Sequence, residues 1–318
     1  MMSKPLVSVI CLCYNQARFV KEAIQSVINQ NYSPIQLIVV DDASSDNSRK
    51  AIEDAIKGTL VELLFFSKNQ GNCRAFNQAL AKAKGDYIID FAADDIMSLD
   101  RVEKQVSFFQ SLPSDYGVVF TDAIYIDESG NYLRDHYAYL KKKRLINHIP
   151  QGNVYSDVIA RYFIASPTML VKKKVFDELG GYDEALSYED FDFWVRSARK
   201  FNYGFLNEKL TLIRRSSKSM SSGWYKHGDT QLASTYLVCK KVASLNTNAQ
   251  ENQALLVRLR FELRQSALSQ NKKEAKLFYE QLASIETPTL LDRFFLLIAR
   301  ISLPLSPIRS LYHWVRYS

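Results

Sequence analysis

The sequence predicts an α/β fold in which a doubly wound, mostly parallel sheet is followed by a helical C-terminal extension. Over roughly the first hundred residues, short β-branched runs alternate with amphipathic helical patterns, which is typical of βαβ units. Clusters of polar residues follow the ends of the strand-like runs. Beyond residue 224 the alternation stops, and only helical patterns remain.

The βαβ region places polar residues where a ligand would bind. Its predicted strands are Leu6–Cys13, Ile35–Val40, Val61–Phe66 and Tyr87–Phe91, and its predicted helices are Ala17–Gln30, Ser45–Lys57 and Asn72–Lys84. Ligands of doubly wound sheets bind at the carboxyl ends of the strands, near the reversal of strand order. The residues at those ends are Tyr14–Asn15, Asp41–Asp42, Asn69–Asn72 and Asp94–Asp95. Each cluster alone is also explained by turn formation and helix capping.

The rest of the chain divides near residue 224. Before it we predict a helix at Asp100–Leu112, a strand at Val118–Tyr125 and a hairpin turn at Asp127–Asn131. The stretch Arg134–Tyr155 shows little periodicity, which predicts a mobile loop that acts as a lid or contacts an acceptor. The later helices are predicted at Gln231–Ser244, Gln250–Ser269, Lys272–Ile285 and Thr289–Ser302. We therefore expect one domain at 1–224 and a helical extension at 225–318.

Composition and charge narrow the classes of function. The chain has 318 residues, 47% of them hydrophobic, and a net charge of +7. Such an excess favours polyanionic partners, although a solvated basic surface explains it as well. Four scattered cysteines argue against a disulfide scaffold and indicate a reducing compartment. No signal peptide and no apolar run of about 20 residues is apparent, so we expect a cytoplasmic protein.

Two acidic pairs carry the chemistry that the sequence suggests. Asp94 and Asp95 directly follow the strand Tyr87–Phe91. Acids there suit a Mg²⁺ or Mn²⁺ ion that neutralises a diphosphate leaving group, because these ions prefer oxygen ligands. Glu189 and Asp190 begin a helical pattern, and transfer to a hydroxyl group needs a general base of this kind. Capping of the helix N-terminus is the alternative explanation for that second pair.

Together these segments resemble the family-2 glycosyltransferases, which are inverting enzymes with a GT-A fold, of the type that serves bacterial surface-polysaccharide assembly. The resemblance covers residues 5–221, and its segments are Leu6–Asn15, Val39–Asp46, Asn69–Asn77, Ala83–Ile88, Phe91–Asp95, Gly180–Glu184 and Glu189–Asp190. It implies a nucleotide-sugar half at 1–97, an acceptor half at 98–224, and transfer from a UDP-linked sugar to a saccharide or lipid-linked acceptor.

The resemblance also implies roles for individual residues. Asp190 would be the general base, with Glu189 or Asp192 in reserve, and Asp95 would bind the Mn²⁺ or Mg²⁺ ion with help from Asp94. The implied donor-binding residues are Tyr14, Asn15, Asp42, Asn72, Arg74, Asp94 and Arg214. Among these, Tyr14 would line the base pocket and Asp42 would accept a hydrogen bond from a uracil-like base. For Arg74, solvation on a helix surface is the competing explanation.

The sequence departs from the family pattern at two positions. Many members have an acid where this chain has Ala92, which weakens the inference of metal binding without removing it. Members often have histidine at the position that matches Ser216. Arg214 or Arg215 would then stabilise the leaving group electrostatically, as cationic side chains can.

The C-terminal segment Thr289–Ser318 combines four arginines with large apolar residues. This composition suits a segment that lies in a membrane interface, here the inner face of the plasma membrane, where it would contact anionic lipid. Packing on the catalytic domain or on a second copy in a homo-oligomer explains the segment equally well.

Three other functions compete with glycosyl transfer. Nucleotidyltransferases share the doubly wound fold, but they place a glycine-rich loop after the first strand, and Cys13–Phe19 contains no glycine. A catalytically inactive nucleotide-sugar-binding protein would have no reason to keep four acids together. Nucleic-acid binding is suggested by charge alone, and the basic runs Lys141–Arg144 and Lys172–Lys174 are not interleaved with aromatics, so we expect no nucleic-acid partner.

Overall fold

The computed structural model describes residues 4–215 and 225–301, and these residues group into two compact units. The described part of the first unit consists of residues 4–153, 163–185 and 196–215. The second unit combines residues 225–301 with two segments from earlier in the chain, 154–162 and 186–195. The C-terminal helices therefore share a unit with pieces of the preceding sequence.

The first unit is built on a single sheet. Within the described residues its nine strands are β1 (Val7–Cys13), β2 (Ile35–Asp41), β3 (Glu62–Phe65), β4 (Tyr87–Ala92), β5 (Ile96–Met97), β6 (Tyr116–Ile126), β7 (Tyr132–Asp135), β8 (Leu170–Lys172) and β9 (Asn202–Arg214). Their order is β3-β2-β1-β4-β8-β6-β9-β5, with β7 paired to β6. The strand pairs β3-β2, β2-β1, β1-β4 and β6-β9 are parallel. The predicted α/β class and its doubly wound half are thus confirmed.

The register of β1 brings the predicted polar ends together. Cys13 pairs with Asp41 on one side, and Leu12 pairs with Ala92 on the other. Because all three strands are parallel, the residues that follow them emerge at one edge of the sheet. Five of the seven residues of β1 are apolar and fully buried or nearly so, which anchors that edge to the core.

Helices cover the sheet of the first unit. They are α1 (Val20–Ile28), α2 (Ser48–Ala55), α3 (Asn72–Leu80), α4 (Arg101–Ser111), α5 (His136–Lys142) and α7 (Lys173–Leu179), with α6 (Tyr155–Ala160) in the second unit. In α1 the buried residues Val20, Ala23, Ile24 and Val27 follow the spacing of one helix face. The predicted helices over the first 112 residues are confirmed, and each observed helix is shorter than its predicted range.

One predicted segment differs from the structure. The hairpin turn at Asp127–Asn131 is confirmed, because β6 and β7 pair in antiparallel fashion and the Asp127 N–H donates to the Asn131 carbonyl at 2.9 Å. The prediction of an irregular loop throughout Arg134–Tyr155 is wrong at its start, where β7 ends and α5 forms. Tyr137 and Leu140 bury one short helix face there. The adjacent run of basic residues obscures this apolar spacing in the sequence.

The second unit is helical. After α8 (Asp190–Ala198), whose first six residues belong to it, come α9 (Thr230–Leu245), α10 (Ala249–Leu268), α11 (Lys272–Ile285) and α12 (Leu290–Arg300), as predicted. Leu255, Leu259 and Leu263 of α10 are fully buried. Among the helices in the described ranges, none is both long and apolar enough to cross a bilayer.

Candidate active site

The turn after β1 is tied to the turn after β2. The backbone N–H of Asn15 donates to Ser44 Oγ at 2.9 Å, and Asn15 Oδ1 accepts from the Ser45 N–H at 2.8 Å. Asn15 has a left-handed φ of 55°, a conformation that asparagine tolerates better than most residues. Tyr14 beside it is 50% exposed. An aromatic ring is therefore presented to solvent by a turn whose backbone is fixed.

Asp42 organises the loop that leads into α3. Its Oδ1 accepts from the Gln70 N–H at 2.8 Å, and its Oδ2 accepts from the Gly71 N–H at 3.0 Å. Gly71 has a φ of 84°, which glycine adopts without steric cost, and Asn72 begins α3 directly after it. The carboxylate expected to contact a nucleotide base thus also holds the backbone of the adjacent loop.

Arg74 connects α3 to the Gly180–Glu184 loop. Its Nε donates to Glu184 Oε2 at 2.9 Å, and Asn77 of the same helix donates through Nδ2 to the Tyr182 carbonyl at 2.9 Å. Both side chains of the Arg74–Glu184 pair are about half exposed to solvent, which limits what the pair contributes to stability. Arg74 is therefore held in place at the surface, with part of its guanidinium group open to solvent.

Asp94 and Asp95 form a pair of carboxylates just after β4, in which Asp95 is buried and Asp94 is partly buried. Asp95 is only 2% exposed, and its Oδ1 accepts from the Arg214 backbone N–H at 2.9 Å. Burial raises the pKa of Asp95 well above its ordinary value, and the charge of Asp94 raises it further. Burial also raises the pKa of Asp94, against the lowering effects of Arg214 and Arg215. The protein thus leaves part of the negative charge of this pair uncompensated.

The side chain of Arg214 is committed to protein contacts around this pair. Its Nε donates to the Asp94 carbonyl at 3.0 Å and its Nη2 to Glu22 Oε2 at 2.7 Å. Nη1 reaches the Asp127 carbonyl at 3.2 Å, and the guanidinium carbon lies 4.6 Å from the centre of the Phe19 ring. In this conformation Arg214 braces the backbone that carries the two carboxylates.

The carboxylate pair fits a divalent cation by its chemistry. Carboxylate oxygens are the ligands that Mg²⁺ and Mn²⁺ prefer, and a cation would favour the charged forms that burial, and for Asp95 also the charge of Asp94, makes unfavourable. Across residues 4–215 and 225–301, no group of three or more His, Cys, Asp or Glu side chains is arranged as a metal site. A cation held by this pair would need further ligands beyond these two side chains.

Glu189 and Asp190 belong to the second unit. Asp190 is the first residue of α8, and the Glu189 carbonyl accepts from the Phe193 N–H at 2.9 Å. Both acids are partly exposed to solvent. Asp192, on the same turn, is 1% exposed and its Oδ1 lies 2.6 Å from Lys241 Nζ. Glu189 and Asp190 are thus more open to solvent than Asp192.

The sequence interpretation missed two residues that serve the carboxylate pair. Arg101 is fully buried at the start of α4, where burial lowers its pKa and the charge of Asp95 acts in the opposite direction. Gln16 Nε2 reaches Asp94 Oδ2 at 3.5 Å. A single arginine at a helix start resembles a surface residue, so no local signal identifies it. Ser216, at the position where relatives often have histidine, lies outside the described residues.

Comparison with known sequences identifies related proteins. The model of the family "Glycosyl transferase family 2" matches residues 8–180. An uncharacterized glycosyltransferase of Rickettsia felis is 32% identical over 227 residues, which are 71% of this chain and 36% of that protein. TuaG of Bacillus subtilis, a glycosyltransferase ascribed to teichuronic acid biosynthesis, is 26% identical over 70% of this chain and 84% of its own length. The chain thus spans about a third of the Rickettsia relative.

Solved structures share the fold at low sequence identity. A crystal structure of S. aureus TarS 1–349 in complex with UDP-GlcNAc aligns with a TM-score of 0.65 and 18% identity, over 88% of this chain and 80% of that one. The mannosyltransferase PcManGT from Pyrobaculum calidifontis, in complex with GDP-Man and Mn²⁺, aligns with a TM-score of 0.60 and 16% identity, over 100% and 82%. The architecture is accordingly that of a GT-A fold with a helical C-terminal part.

The role of Asp42 in holding the loop before α3 is testable by stability measurements. We expect Asp42→Asn to lower the free energy of unfolding by about 1.5–3 kcal/mol, because an amide cannot accept from both loop N–H groups. Urea denaturation measures the change. Asp177→Asn, at an exposed ion pair with Lys173, is the control and should cost less than about 1 kcal/mol. Equal losses in the two variants would contradict the role of Asp42.

Proposed function

The chain belongs to glycosyl transferase family 2, and we propose that it transfers a sugar from a UDP-linked donor to a saccharide or lipid-linked acceptor with inversion at the anomeric carbon. The observation that carries this proposal is the Asp94–Asp95 pair after β4, in which Asp95 is buried, Asp94 is partly buried and both pKa values are raised. A buried carboxylate beside a second acid is costly to a fold unless a cation uses the pair. The GDP-Man and Mn²⁺ in the PcManGT structure support a cation-dependent donor site.

The donor would bind along the edge formed by the ends of β1, β2 and β4. Tyr14, half exposed, would stack on the base, and Asp42 would accept from its ring N–H through lone pairs that the loop leaves unused. Asn15, Asn72 and Arg74 would complete the pocket. Support for a UDP-linked sugar comes from the UDP-GlcNAc complex of TarS, whose fold this chain shares.

The leaving group requires compensation of the charge that develops on the diphosphate. Asp94 and Asp95 would hold a Mn²⁺ or Mg²⁺ ion, which supplies Lewis-acid stabilisation of that charge when bound. Arg214 would act by bracing the carboxylates, since its guanidinium already contacts the Asp94 carbonyl and Glu22. Arg215 is the better candidate for direct electrostatic help, because its charge is close enough to lower the pKa of both acids.

The acceptor hydroxyl must lose its proton as it attacks. Asp190 would accept this proton, because it is a partly exposed carboxylate at the first position of α8. Glu189 is the alternative base. Asp192 is less suited to the role, since it is buried against Lys241. Teichuronic acid biosynthesis, ascribed to TuaG, supports an acceptor in cell-surface polysaccharide or glycolipid assembly.

Helix α12 supports a peripheral position at the inner face of the plasma membrane. Its buried residues Asp292, Phe295 and Ala299 lie on one face. The opposite face presents a stripe that is between 40% and 83% exposed, made of Leu290, Leu291, Phe294, Leu297 and Ile301. Arg293 and Arg300 flank the stripe and are exposed. A basic amphipathic helix of this kind suits the interface of an anionic bilayer. The rest of the C-terminal segment, 302–318, lies outside the described residues.

A screen of sugar nucleotides with Mn²⁺ tests the donor and cation together. UDP-GlcNAc, UDP-glucose and GDP-mannose are added singly. The release of the nucleoside diphosphate (UDP or GDP) and the melting temperature of the protein are measured. We expect Asp95→Asn to abolish both Mn²⁺-dependent responses. Without metal the variant should be more stable by about 0.5–2 kcal/mol, since a buried charge has been removed. Asp100→Asn, on an exposed ion pair with Lys104, is the control. A full Mn²⁺ response in Asp95→Asn would remove this residue from the metal site.

Substitution of the proposed base separates binding from transfer. We expect Asp190→Asn to keep the Mn²⁺-dependent affinity for the donor while turnover falls by about 10²–10⁴-fold, the range contributed by general base catalysis. Donor affinity is measured by calorimetry, and turnover is measured by release of the nucleoside diphosphate. Glu189→Gln is examined in parallel. Near-normal turnover of Asp190→Asn, with a loss in Glu189→Gln, would transfer the role to Glu189.

Vesicle sedimentation tests the membrane contact of α12. We expect the double substitution Phe294→Ser and Leu297→Ser to weaken binding to vesicles containing phosphatidylglycerol by about tenfold or more, because two large apolar side chains no longer enter the interface. Leu237→Ser, at an exposed leucine of α9, is the matched control. If the double variant sediments with vesicles as fully as the unmodified chain, α12 is not the membrane contact.

A further inference from the structure

Helix α9 holds the residues immediately before the proposed base. The Ser187 N–H donates to Ser234 Oγ at 2.9 Å, and the hydroxyl groups of the two serines are also 2.9 Å apart. One residue further on, the Tyr188 hydroxyl lies 2.6 Å from Thr235 Oγ1. Consecutive residues of the chain thus contact consecutive residues of α9 just before Glu189.

The same helix also holds the residue that follows the proposed base by two positions. Lys241 Nζ donates to Asp192 Oδ1 at 2.6 Å, and the Asp192 side chain is 1% exposed. A buried carboxylate requires such a partner, because an uncompensated charge in the interior is strongly destabilising. Glu189 and Asp190 therefore lie between two attachments to one rigid helix.

Helix α10 supports this segment from the interior of the unit. The Arg258 guanidinium carbon lies 3.9 Å from the centre of the Tyr162 ring and 4.9 Å from that of Phe191. Tyr162 in turn shares a 3.1 Å hydrogen bond with the Tyr188 hydroxyl. Arg258 and Glu262 form an ion pair of 3.2 Å in which both side chains are buried. A purely apolar core would hold the helices together at lower cost, but it would not orient hydroxyl groups along this path.

We propose that α9 and α10 position the Glu189–Asp190 segment for proton transfer, with Lys241 and Thr235 as positioning residues. This inference rests on the proposed function in that it takes a carboxylate of this segment as the base. A general base must lie within hydrogen-bonding distance of the proton that it removes, so the position of this turn sets the rate. The C-terminal helices would then be part of the catalytic apparatus in addition to any contact with a membrane.

Kinetics of Lys241→Met test the positioning role. We expect kcat for Mn²⁺-dependent UDP release from UDP-GlcNAc, or from the sugar nucleotide active in the screen, to fall by about 10–100-fold because the turn is displaced. KM for the donor should stay within about twofold, since its proposed contacts lie in the first unit. Lys241→Arg should restore most of the rate. The matched control is Lys240→Met, at the adjacent exposed lysine, and it should be silent.

Thr235→Val is the second variant and removes the hydroxyl near Tyr188 without changing side-chain size. It should lower kcat in the same way, and because it also removes a partner of the Tyr188 hydroxyl and so lowers the melting temperature, kcat is measured at a temperature at which the variant is fully folded. A parallel loss of donor affinity and kcat in both variants, or unchanged kcat in both, would overturn the positioning role.

A double-mutant cycle distinguishes the two proposals. If Lys241 acts through Asp190, Lys241→Met should cause little further loss of turnover in an Asp190→Asn background. If Lys241→Met lowers turnover as much in the Asp190→Asn background as it does in the otherwise unmodified chain, the positioning role is overturned, while Asp190 remains the base. If Asp190→Asn alone turns over normally, the base assignment fails. The cycle is then measured with Glu189→Gln, and the same non-additivity decides whether the helices position that carboxylate.

Discussion

The burial of Asp95 beside a second, partly buried carboxylate after β4 is the constraint on which the rest of the first unit depends. Asp94 and Asp95 raise each other's energy, and burial withholds the water that would screen them. Polar groups of the surrounding structure partly stabilise these charges. They are the Arg214 N–H and the buried guanidinium groups of Arg214 and Arg101. The compensation is incomplete, as the raised pKa values of both acids indicate.

The same polar residues in the turns around the pair can both stabilise a turn and bind a ligand, so the two explanations do not exclude each other. Asn15 and Asp42 use their side chains to fix neighbouring loops, as turn residues do. Their positions at the ends of parallel strands nevertheless place them at the edge where a doubly wound sheet binds ligands. The hydrogen bonds of Asn15 fix the backbone beside Tyr14, which would lower the ordering cost of the proposed nucleotide binding.

The second unit gives the C-terminal helices two faces with different chemistry. Toward the interior, buried polar contacts such as Asp192–Lys241 and Arg258–Glu262 specify how the segment 186–195 is held. Toward solvent, α12 exposes a row of apolar side chains beside two arginines. An exposed apolar row of this kind favours an interaction surface. The proposed attachment to a bilayer and the proposed support of the Glu189–Asp190 turn are thus compatible within one set of helices.

The sequence by itself determined the helices and all strands except β5 of the first 112 residues, the helices after residue 224 and the acidic pairs, because periodicity and strand-end position are recorded in consecutive residues. It did not reveal that α5 forms beside a basic run. It also did not reveal that the Arg214 side chain, which stays a predicted donor-binding residue, contacts Asp94, Glu22 and Asp127. Only the tertiary structure decided these partners, since the Arg214 N–H and the Asp95 carboxylate are 119 positions apart. The grouping of segments 154–162 and 186–195 with the later helices in one unit likewise depends on contacts between residues that are distant in sequence. Contacts between residues distant in sequence leave no local pattern, so they can be identified only from the folded structure.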